Sequence, residues 1–172
     1  MSAPSFPAAS AAVRPVIAIH GGAGTLSRGQ ISPEQAEAYH AALHGILEAG
    51  QQILAAGGTA LDAVCLAVKL LEDCPLFNAG HGAVFTSRET HELDAAVMDG
   101  ATLAAGAVAG VCRVRNPVEA ARAVMVRGQH VLMAGEGAEA VAREAGLAAV
   151  SPDYFSTEAR RQQLHAARAR HA

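Results

Sequence analysis

A glycine-rich loop near the amino terminus contains the residues best suited to do chemistry. The run His20-Gly21-Gly22-Ala23-Gly24 directly follows residues 16–19, VIAI, a short apolar run typical of a buried strand. Without β-carbons the main chain of such a loop can approach another group closely, and similar loops in enzymes donate amide groups to an oxyanion. A simple turn after the strand would also need glycines, so the loop by itself leaves both interpretations open.

The segment His91-Glu92-Leu93-Asp94 begins like the HExxH motif of zinc proteases. Position 95 is Ala, so the second histidine ligand is missing, and the segment resembles a strand rather than a helix. We therefore interpret it as the solvated start of a strand.

The segment 135–140, GEGAEA, follows a predicted strand and opens a predicted helix, as the dinucleotide fingerprint GxGxxA does. We expect the preceding strands to form a meander rather than a β-α-β unit, and Glu136 and Glu139 would face a pyrophosphate with like charge. We therefore favour a tight strand-to-helix turn. The sequence has no GxSxG elbow, and Cys74 is interpreted as a small buried hydrophobe rather than a thiol nucleophile.

Composition excludes several classes of protein. The chain has 172 residues, enough to bury a core, and its hydrophobic share of 51% includes only 3% aromatic residues, so we expect a core of small side chains. A net charge of −3, with Lys69 as the only lysine, argues against nucleic-acid binding. Three cysteines without CxxC spacing favour a reducing cytoplasm over a disulfide framework. We expect no signal peptide and no membrane span.

The chemistry-bearing segments must be positioned by a mixed sheet with helices layered over it. Residues 1–14, rich in Ser, Ala and Pro, predict a disordered extension, and no domain boundary is evident after it. Ser32 with Gln35 forms a capping box for a first helix, and Thr59 with Asp62 opens a second that ends before Pro75. Strand-like runs follow at 83–86, 92–98, 104–111 and 130–134, and further helices at about 117–125, 136–145 and 156–170.

Several of these segments, in this order, closely resemble the plant-type asparaginases, also called isoaspartyl peptidases. The resemblance covers about residues 15–160. Its most specific parts are CPLFNAGHGAVF and ELDAAVMDG, and VIAIHGGAG, GGTALDAV, GAVAGV, RNPVEAARAVM and HVLMAGEGAE accompany them.

The resemblance implies an amino-terminal nucleophile hydrolase, an α/β (α+β) fold built as a four-layer αββα sandwich. In that family a precursor cleaves itself at a Gly-Thr bond, and the exposed Thr of the β subunit is the nucleophile, with its own amine as the base. No such Gly-Thr-Val-Gly segment occurs in this chain. We therefore expect it to be the α subunit of an (αβ)₂ enzyme, with residues 161–172 forming a helix end and the start of the linker to the cleavage site, and with no catalytic nucleophile of its own.

The resemblance also assigns site residues. Asn78 matches an Asn that reaches toward the active site, although it could also merely stabilise its own turn. His20, Gly21, Gly22 and Gly24 belong to the loop behind the nucleophile, where plain packing is the alternative. No cofactor is implied for catalysis, but a structural sodium ion is expected. Its ligands would be the main-chain carbonyls of Leu71, Glu72, Cys74, Phe77, Ala79 and His81, the last of which replaces a usual aliphatic residue.

The expected reaction is hydrolysis of β-aspartyl dipeptides and L-asparagine, which releases L-aspartate. A glycosylasparaginase-like subunit is the nearest alternative, and a non-catalytic binding domain is an alternative from another class. The preference between the two substrates is not determined by this chain, because the groups expected to select the substrate belong to the β subunit.

Overall fold

A computed structural model describes residues 14–22 and 31–171. The described chain contains five α-helices, three strands and one short 3₁₀ helix. In chain order these are α1 Pro33–Ala55, α2 Ala60–Asp73, β1 Leu93–Met98, β2 Ala105–Val111, α3 Pro117–Arg127, β3 Leu132–Ala134, α4 Gly135–Glu144, the 3₁₀ helix Pro152–Phe155, and α5 Glu158–His171. The predicted extension at 1–14 lies almost wholly outside the described residues and stays a prediction.

The first two helices begin where their capping residues predict. The Ser32 hydroxyl accepts the Gln35 N–H at 3.2 Å, and the Gln35 side chain accepts the Ser32 N–H at 2.9 Å, which completes the capping box. Thr59 accepts the Asp62 N–H at 3.0 Å at the start of α2. Both helix assignments from the sequence are therefore confirmed.

The sheet is mixed, as predicted, but its connections differ from a meander. β1 and β2 are antiparallel, whereas β2 and β3 are parallel and are joined through α3. The link from β1 to β2 turns at Asp99, whose carboxylate accepts the Ala101 N–H at 3.0 Å and the Thr102 hydroxyl at 2.7 Å. The predicted meander is wrong, because residues 83–86 do not form a strand and β3, which follows the predicted helix at 117–125, lies parallel to β2.

Two predicted strands do not form. Residues 16–19 have no regular structure. Val16 is 89% exposed, and Ile17 and Ile19 are half-buried against the apolar cluster between α1 and α2 that includes Ile46 and Phe77. Residues 83–86 are also irregular, because the Val84 N–H is bonded to Asn78 and the Thr86 backbone closes a tight turn with Thr90. In each case no described strand lies alongside to complete the backbone hydrogen bonds that a strand requires.

The main core lies between one face of the sheet and helices α3 and α4. Val108, Val118 and Val124 are at most 2% exposed there, and Ala120 and Ala121 are fully buried, which confirms a core of small side chains. A β-carbon on Gly106 of β2 would collide with the α3 backbone, so the missing side chain is what lets α3 lie directly on the strand. A second cluster joins α1 to α2 through Ile46, Ala67, Leu71 and Phe77.

The other face of the sheet is open within the described residues. Side chains of β1 and β3 on this face are exposed, including Met98 at 55% and Leu132 at 60%. None of the helices in the described ranges combines the length and the apolar character that crossing a membrane requires.

Candidate functional site

The loop that leaves α2 folds back sharply on the end of that helix. Gly80 and Gly82 adopt left-handed backbone conformations, with φ of 48° and 138°. A β-carbon on Gly80 would collide with the Glu72 carbonyl, and one on Gly82 would lie 2.6 Å from the Pro75 carbonyl oxygen and 2.7 Å from that of Phe77. Both positions therefore require glycine, and the loop owes its shape to that requirement.

Asn78 lies at the outer side of this loop. Its Oδ1 accepts the Val84 N–H at 2.8 Å, and the residue is exposed. It lines a cavity of about 240 Å³ together with Glu72, Glu92 and Asp94. The bond to Val84 confirms that Asn78 stabilises its own turn, but it occupies only the acceptor end of the carboxamide. The Nδ2 amide has no hydrogen-bond partner among the described residues and can donate to another group in the cavity.

The amino-terminal glycine loop packs against the residue that precedes Asn78. A β-carbon on Gly21 would lie 3.1 Å from the Phe77 ring and 3.2 Å from the Leu43 side chain. The Gly22 N–H is bonded to His20 Nδ1 at 3.2 Å, and Gly22 has a φ of 111°. The structure therefore brings together two of the predicted site segments, although Gly24 lies outside the described residues.

The carbonyls of the predicted sodium loop are concentrated at the C-terminal end of α2. Leu71 O accepts the Cys74 N–H at 3.3 Å, and Glu72 O accepts the His81 N–H at 2.6 Å. The Phe77 carbonyl oxygen lies against Gly82, so close that a side chain there would collide with it. Because a carbonyl oxygen has two lone pairs, each of these groups can bind a cation in addition to its hydrogen bond. Such oxygens suit a hard cation, so the loop fits the predicted ion.

The side chain of Glu72 connects this loop to the main core. It is only 3% exposed, its Oε1 accepts the Val118 N–H at 2.9 Å in the first turn of α3, and its Oε2 has no partner among the described residues. Burial raises the pKa of Glu72 to about 8, against the lowering effect of the Val118 N–H. The carboxyl group therefore fixes the end of α2 to the start of α3 directly beneath the cavity.

Comparison with known proteins identifies the family. The family model described as asparaginase matches residues 13–172. The chain belongs to this asparaginase family.

Its curated relatives include two bacterial isoaspartyl peptidases and an archaeal enzyme. The chain is 65% identical to the isoaspartyl peptidase of Salmonella typhimurium over 154 residues, which is 90% of this chain and 49% of that protein. It is 63% identical to the isoaspartyl peptidase of Escherichia coli over 153 residues, 89% of this chain and 48% of that protein. It is 47% identical to the plant-type L-asparaginase of Pyrococcus abyssi over 153 residues, 86% of this chain and 46% of that protein. The chain thus spans about half the length of the curated relatives it matches.

His91 proves to be a structural residue rather than a metal ligand. It is 3% exposed, with Nδ1 3.2 Å from Val84 O and Nε2 3.1 Å from Ser156 Oγ. The segment leads into strand β1, as predicted, and the start of that strand is solvated on one side only: Glu92 and Asp94 are exposed, whereas His91 and Leu93 are buried. In the described part of the chain no group of three His, Cys, Asp or Glu side chains could hold a metal ion.

The segment at 135–140 is a strand-to-helix turn, as predicted, although one reason given for that was wrong. Because β3 runs parallel to β2, the turn does follow a β-α-β unit. The second reason, the negative charge of Glu139, still argues against a bound pyrophosphate. Glu139 Oε1 accepts the N–H groups of Cys112 and Arg113 at 2.7 and 2.9 Å, so its role is to bind the backbone directly after β2. Cys74 is half-buried against the second cluster and, like the other two cysteines, forms no disulfide.

The sequence analysis named Glu72 only for its main-chain carbonyl and missed the role of its side chain, and it missed Arg160 altogether. Glu72 follows Cys65 and Val68 at helical spacing, and a charged residue on that apolar stripe was the available signal. Arg160 donates from Nε to Gly82 O at 2.6 Å, a contact between residues 78 positions apart that no local pattern indicates.

The burial of His91 predicts acid sensitivity. Burial lowers the pKa of His91 below its ordinary value of 6.5, so the folded protein binds fewer protons than the unfolded chain as the pH falls. The neutral, buried His91 therefore costs the folded state nothing above pH about 6.5, and the free energy of unfolding decreases as the pH falls below that value. We expect His91→Gln to flatten the decline in stability between about pH 7 and 5, measured by urea unfolding at each pH. His165→Gln, at an exposed histidine of α5, is the control, and an equal flattening in both variants would contradict the assignment.

Proposed function

We propose that this chain is the α portion of an autoprocessed amidohydrolase that hydrolyses β-aspartyl (isoaspartyl) dipeptides and L-asparagine and releases L-aspartate. The nucleophile is the Thr at the start of a β subunit from the same precursor, and the two form an (αβ)₂ assembly. The position of Asn78 supports this proposal most directly, because it places a free amide donor at the edge of a cavity lined by Glu92 and Asp94, directly after the residue that packs against Gly21. The names of the relatives, isoaspartyl peptidase and plant-type L-asparaginase, supply the substrate class.

The described threonines support a nucleophile outside this chain. Thr86 and Thr90 share a hydrogen bond between their hydroxyls at 2.7 Å, and Thr157 accepts the Arg160 N–H at 3.3 Å. These three hydroxyls therefore have local structural roles in a turn and at the start of a helix, and a hydroxyl without an adjacent base is a poor nucleophile.

Two further threonines donate to carboxylates. Thr59 donates to Asp62 at 2.7 Å, and Thr102 donates to Asp99 at 2.7 Å. These hydrogen bonds lower the pKa of both carboxyl groups, so each carboxylate is a weak base. Neither pair therefore resembles an activated nucleophile.

The proposed reaction divides the work between the two portions. The terminal Thr hydroxyl attacks the side-chain carbonyl of the aspartyl substrate, and its own α-amine accepts the hydroxyl proton. The amide C–N bond then breaks, and the leaving amine of the dipeptide, or ammonia from L-asparagine, takes that proton. Water hydrolyses the resulting acyl-enzyme, which releases L-aspartate and restores the Thr hydroxyl. This chain contributes one side of the active site, where Asn78 Nδ2 donates a hydrogen bond to a water molecule or to the substrate. The Val84 N–H of the turn is already satisfied by Asn78 Oδ1, so the donor is held in place before substrate arrives.

The open face of the sheet supports the four-layer sandwich. Helices α3 and α4 cover one face, and the other face presents small or apolar residues such as Ala96, Met98 and Leu132 to solvent. An antiparallel or mixed sheet can leave one face in water, but the side chains on a solvated face are normally polar. A second sheet from the remaining portion would bury this face and complete the αββα arrangement.

The decisive experiment is chemical analysis of the complete protein. We expect two polypeptides on a denaturing gel, the second beginning with Thr, and hydrolysis of a β-aspartyl dipeptide that requires both. Residues 1–172 purified without a companion should be inactive. A companion that begins with another residue would contradict the mechanism, and turnover by the isolated chain would contradict the division of labour. Hydrolysis of glycosylated asparagine in preference to both proposed substrates would instead favour the glycosylasparaginase alternative, and the absence of any companion or activity would favour a binding domain.

Two substitutions separate the structural role of Asn78 from its role toward substrate. Asn78→Asp keeps an oxygen that accepts the Val84 N–H but loses the Nδ2 donor. We expect a melting temperature close to that of the parent and a decrease in kcat of about 100-fold, as for loss of a donor to a transition state. Asn78→Ala loses both bonds, and its free energy of unfolding should be ~1 kcal/mol lower than that of the Asp variant. Full activity of the Asp variant would show that only the turn matters.

We further propose that the carbonyls of Leu71, Glu72, Cys74, Phe77, Ala79 and His81 hold a structural sodium ion. The loop supports this because its two glycines let the chain pass directly against the carbonyl oxygens of Glu72 and Phe77, two of the proposed ligands. A bound ion stabilises the folded state by mass action. We expect the melting temperature to be at least about 2 °C higher in sodium chloride than in choline chloride of equal ionic strength. Potassium chloride tests selectivity, and equal melting temperatures in all three salts would contradict the site.

A further inference from the structure

The segment Tyr154–Arg160, between the 3₁₀ helix and the start of α5, is bonded to the turn that follows Asn78. His81 Nδ1 lies 2.5 Å from Tyr154 O, and the Gly82 N–H donates to Phe155 O at 3.2 Å. The Arg160 Nε–H donates to Gly82 O at 2.6 Å. Three hydrogen bonds thus connect His81 and Gly82 to the single segment Tyr154–Arg160.

The position of Gly82 determines the position of Asn78 on both sides. Before Asn78, Gly82 packs against the carbonyl oxygen of Phe77, which would lie only 2.7 Å from a β-carbon at position 82. After it, the chain from Gly82 leads within two residues to Val84, whose N–H donates to Asn78 Oδ1. A displacement of Gly82 therefore moves both the backbone that precedes Asn78 and the donor that orients its carboxamide.

Arg160 is the charged member of these contacts. A hydrogen bond from an ionised donor is stronger than one between neutral groups. Arg160 is half-buried in the first turn of α5, where its own N–H is bonded to the Thr157 hydroxyl at 3.3 Å and its guanidinium also contacts Gln163 at 3.0 Å. The fully buried Phe155 fixes the preceding residues in the core. The backbone that carries Arg160 is therefore held in place, and so is the guanidinium group that donates to Gly82.

We propose that Arg160 is a positioning residue for Asn78, acting through the Gly82 carbonyl. The inference rests on the proposed function, in which Asn78 Nδ2 meets the substrate or its attacking water. An error of about 1 Å in such a group can lower the rate by as much as ~100-fold, so the effect should appear in kcat rather than in folding.

Arg168 provides a matched control on the same helix. Its guanidinium donates to the Ser87 carbonyl at 2.8 Å and pairs with Glu89 at 3.2 Å, so it contacts the turn at 86–90 and not Gly82. Replacing it removes the same charge and the same kind of contact to a carbonyl. Any general effect of loosening α5 should therefore appear in both variants.

The test compares the complete processed protein with its Arg160→Gln, Arg160→Lys and Arg168→Gln variants. We expect Arg160→Gln to lower kcat toward a β-aspartyl dipeptide about 10-fold with KM changed less than about twofold. Arg160→Lys, which keeps a charged donor, should retain most of the activity, and Arg168→Gln should resemble the parent. Equal kcat in the two Gln variants, or equal loss in Arg160→Gln and Arg160→Lys, would overturn the inference.

Hydrogen exchange separates this inference from the proposed function. The Val84 amide, bonded to Asn78, should exchange faster in Arg160→Gln than in Arg168→Gln, whether or not the protein hydrolyses the dipeptide. An inactive parent protein would overturn the proposed function. Equal exchange of Val84 in both Gln variants would overturn the role of Arg160 even in an active enzyme.

Discussion

The return of the chain onto the C-terminal end of α2 is the constraint on which the site depends. Between Cys74 and Val84 the backbone passes so close to carbonyl groups that a methyl group at Gly80 would collide with the helix carbonyl of Glu72, and one at Gly82 with the loop carbonyls of Pro75 and Phe77. That approach places Asn78 at the rim of the cavity. The same close packing lets the Gly21 backbone lie against the Phe77 ring. A local demand for two glycines therefore fixes the relation between segments that are far apart in the sequence.

The buried carboxyl group of Glu72 is the second element of this arrangement. Its raised pKa reflects a group removed from water with one oxygen satisfied by the start of α3 and the other unpaired among the described residues. An unsatisfied buried oxygen costs stability, and a purely structural link between two helices could be made by an apolar contact instead. Because Glu72 and Asn78 line the same cavity, the carboxyl group ties the shape of the site to the relative position of α2 and α3.

The parts of the fold that were predictable are those whose cause is local. Ser32, Thr59 and Asp99 satisfy backbone groups within a few residues of themselves, so their caps and turns can be inferred directly from the sequence. The apolar run at 16–19 has the same pattern as a strand, but strand formation needs a neighbour, and no described strand lies beside it. The parallel placement of β3 depends on how α3 packs over Gly106, which no short window of sequence contains.

The site residues also divide into those that the sequence indicates and those that depend on distant contacts. Asn78 and the glycine loops were found through a resemblance that spans about residues 15–160, whereas Arg160 contributes through one bond to a carbonyl far away in the sequence. The segment that contains Arg160 leads directly into α5 and hence toward the end of the described chain. The support of Asn78 therefore comes from a helix that no sequence pattern around Asn78 could have indicated, and a change in the packing of α5 would reach Asn78 only through the Gly82 turn.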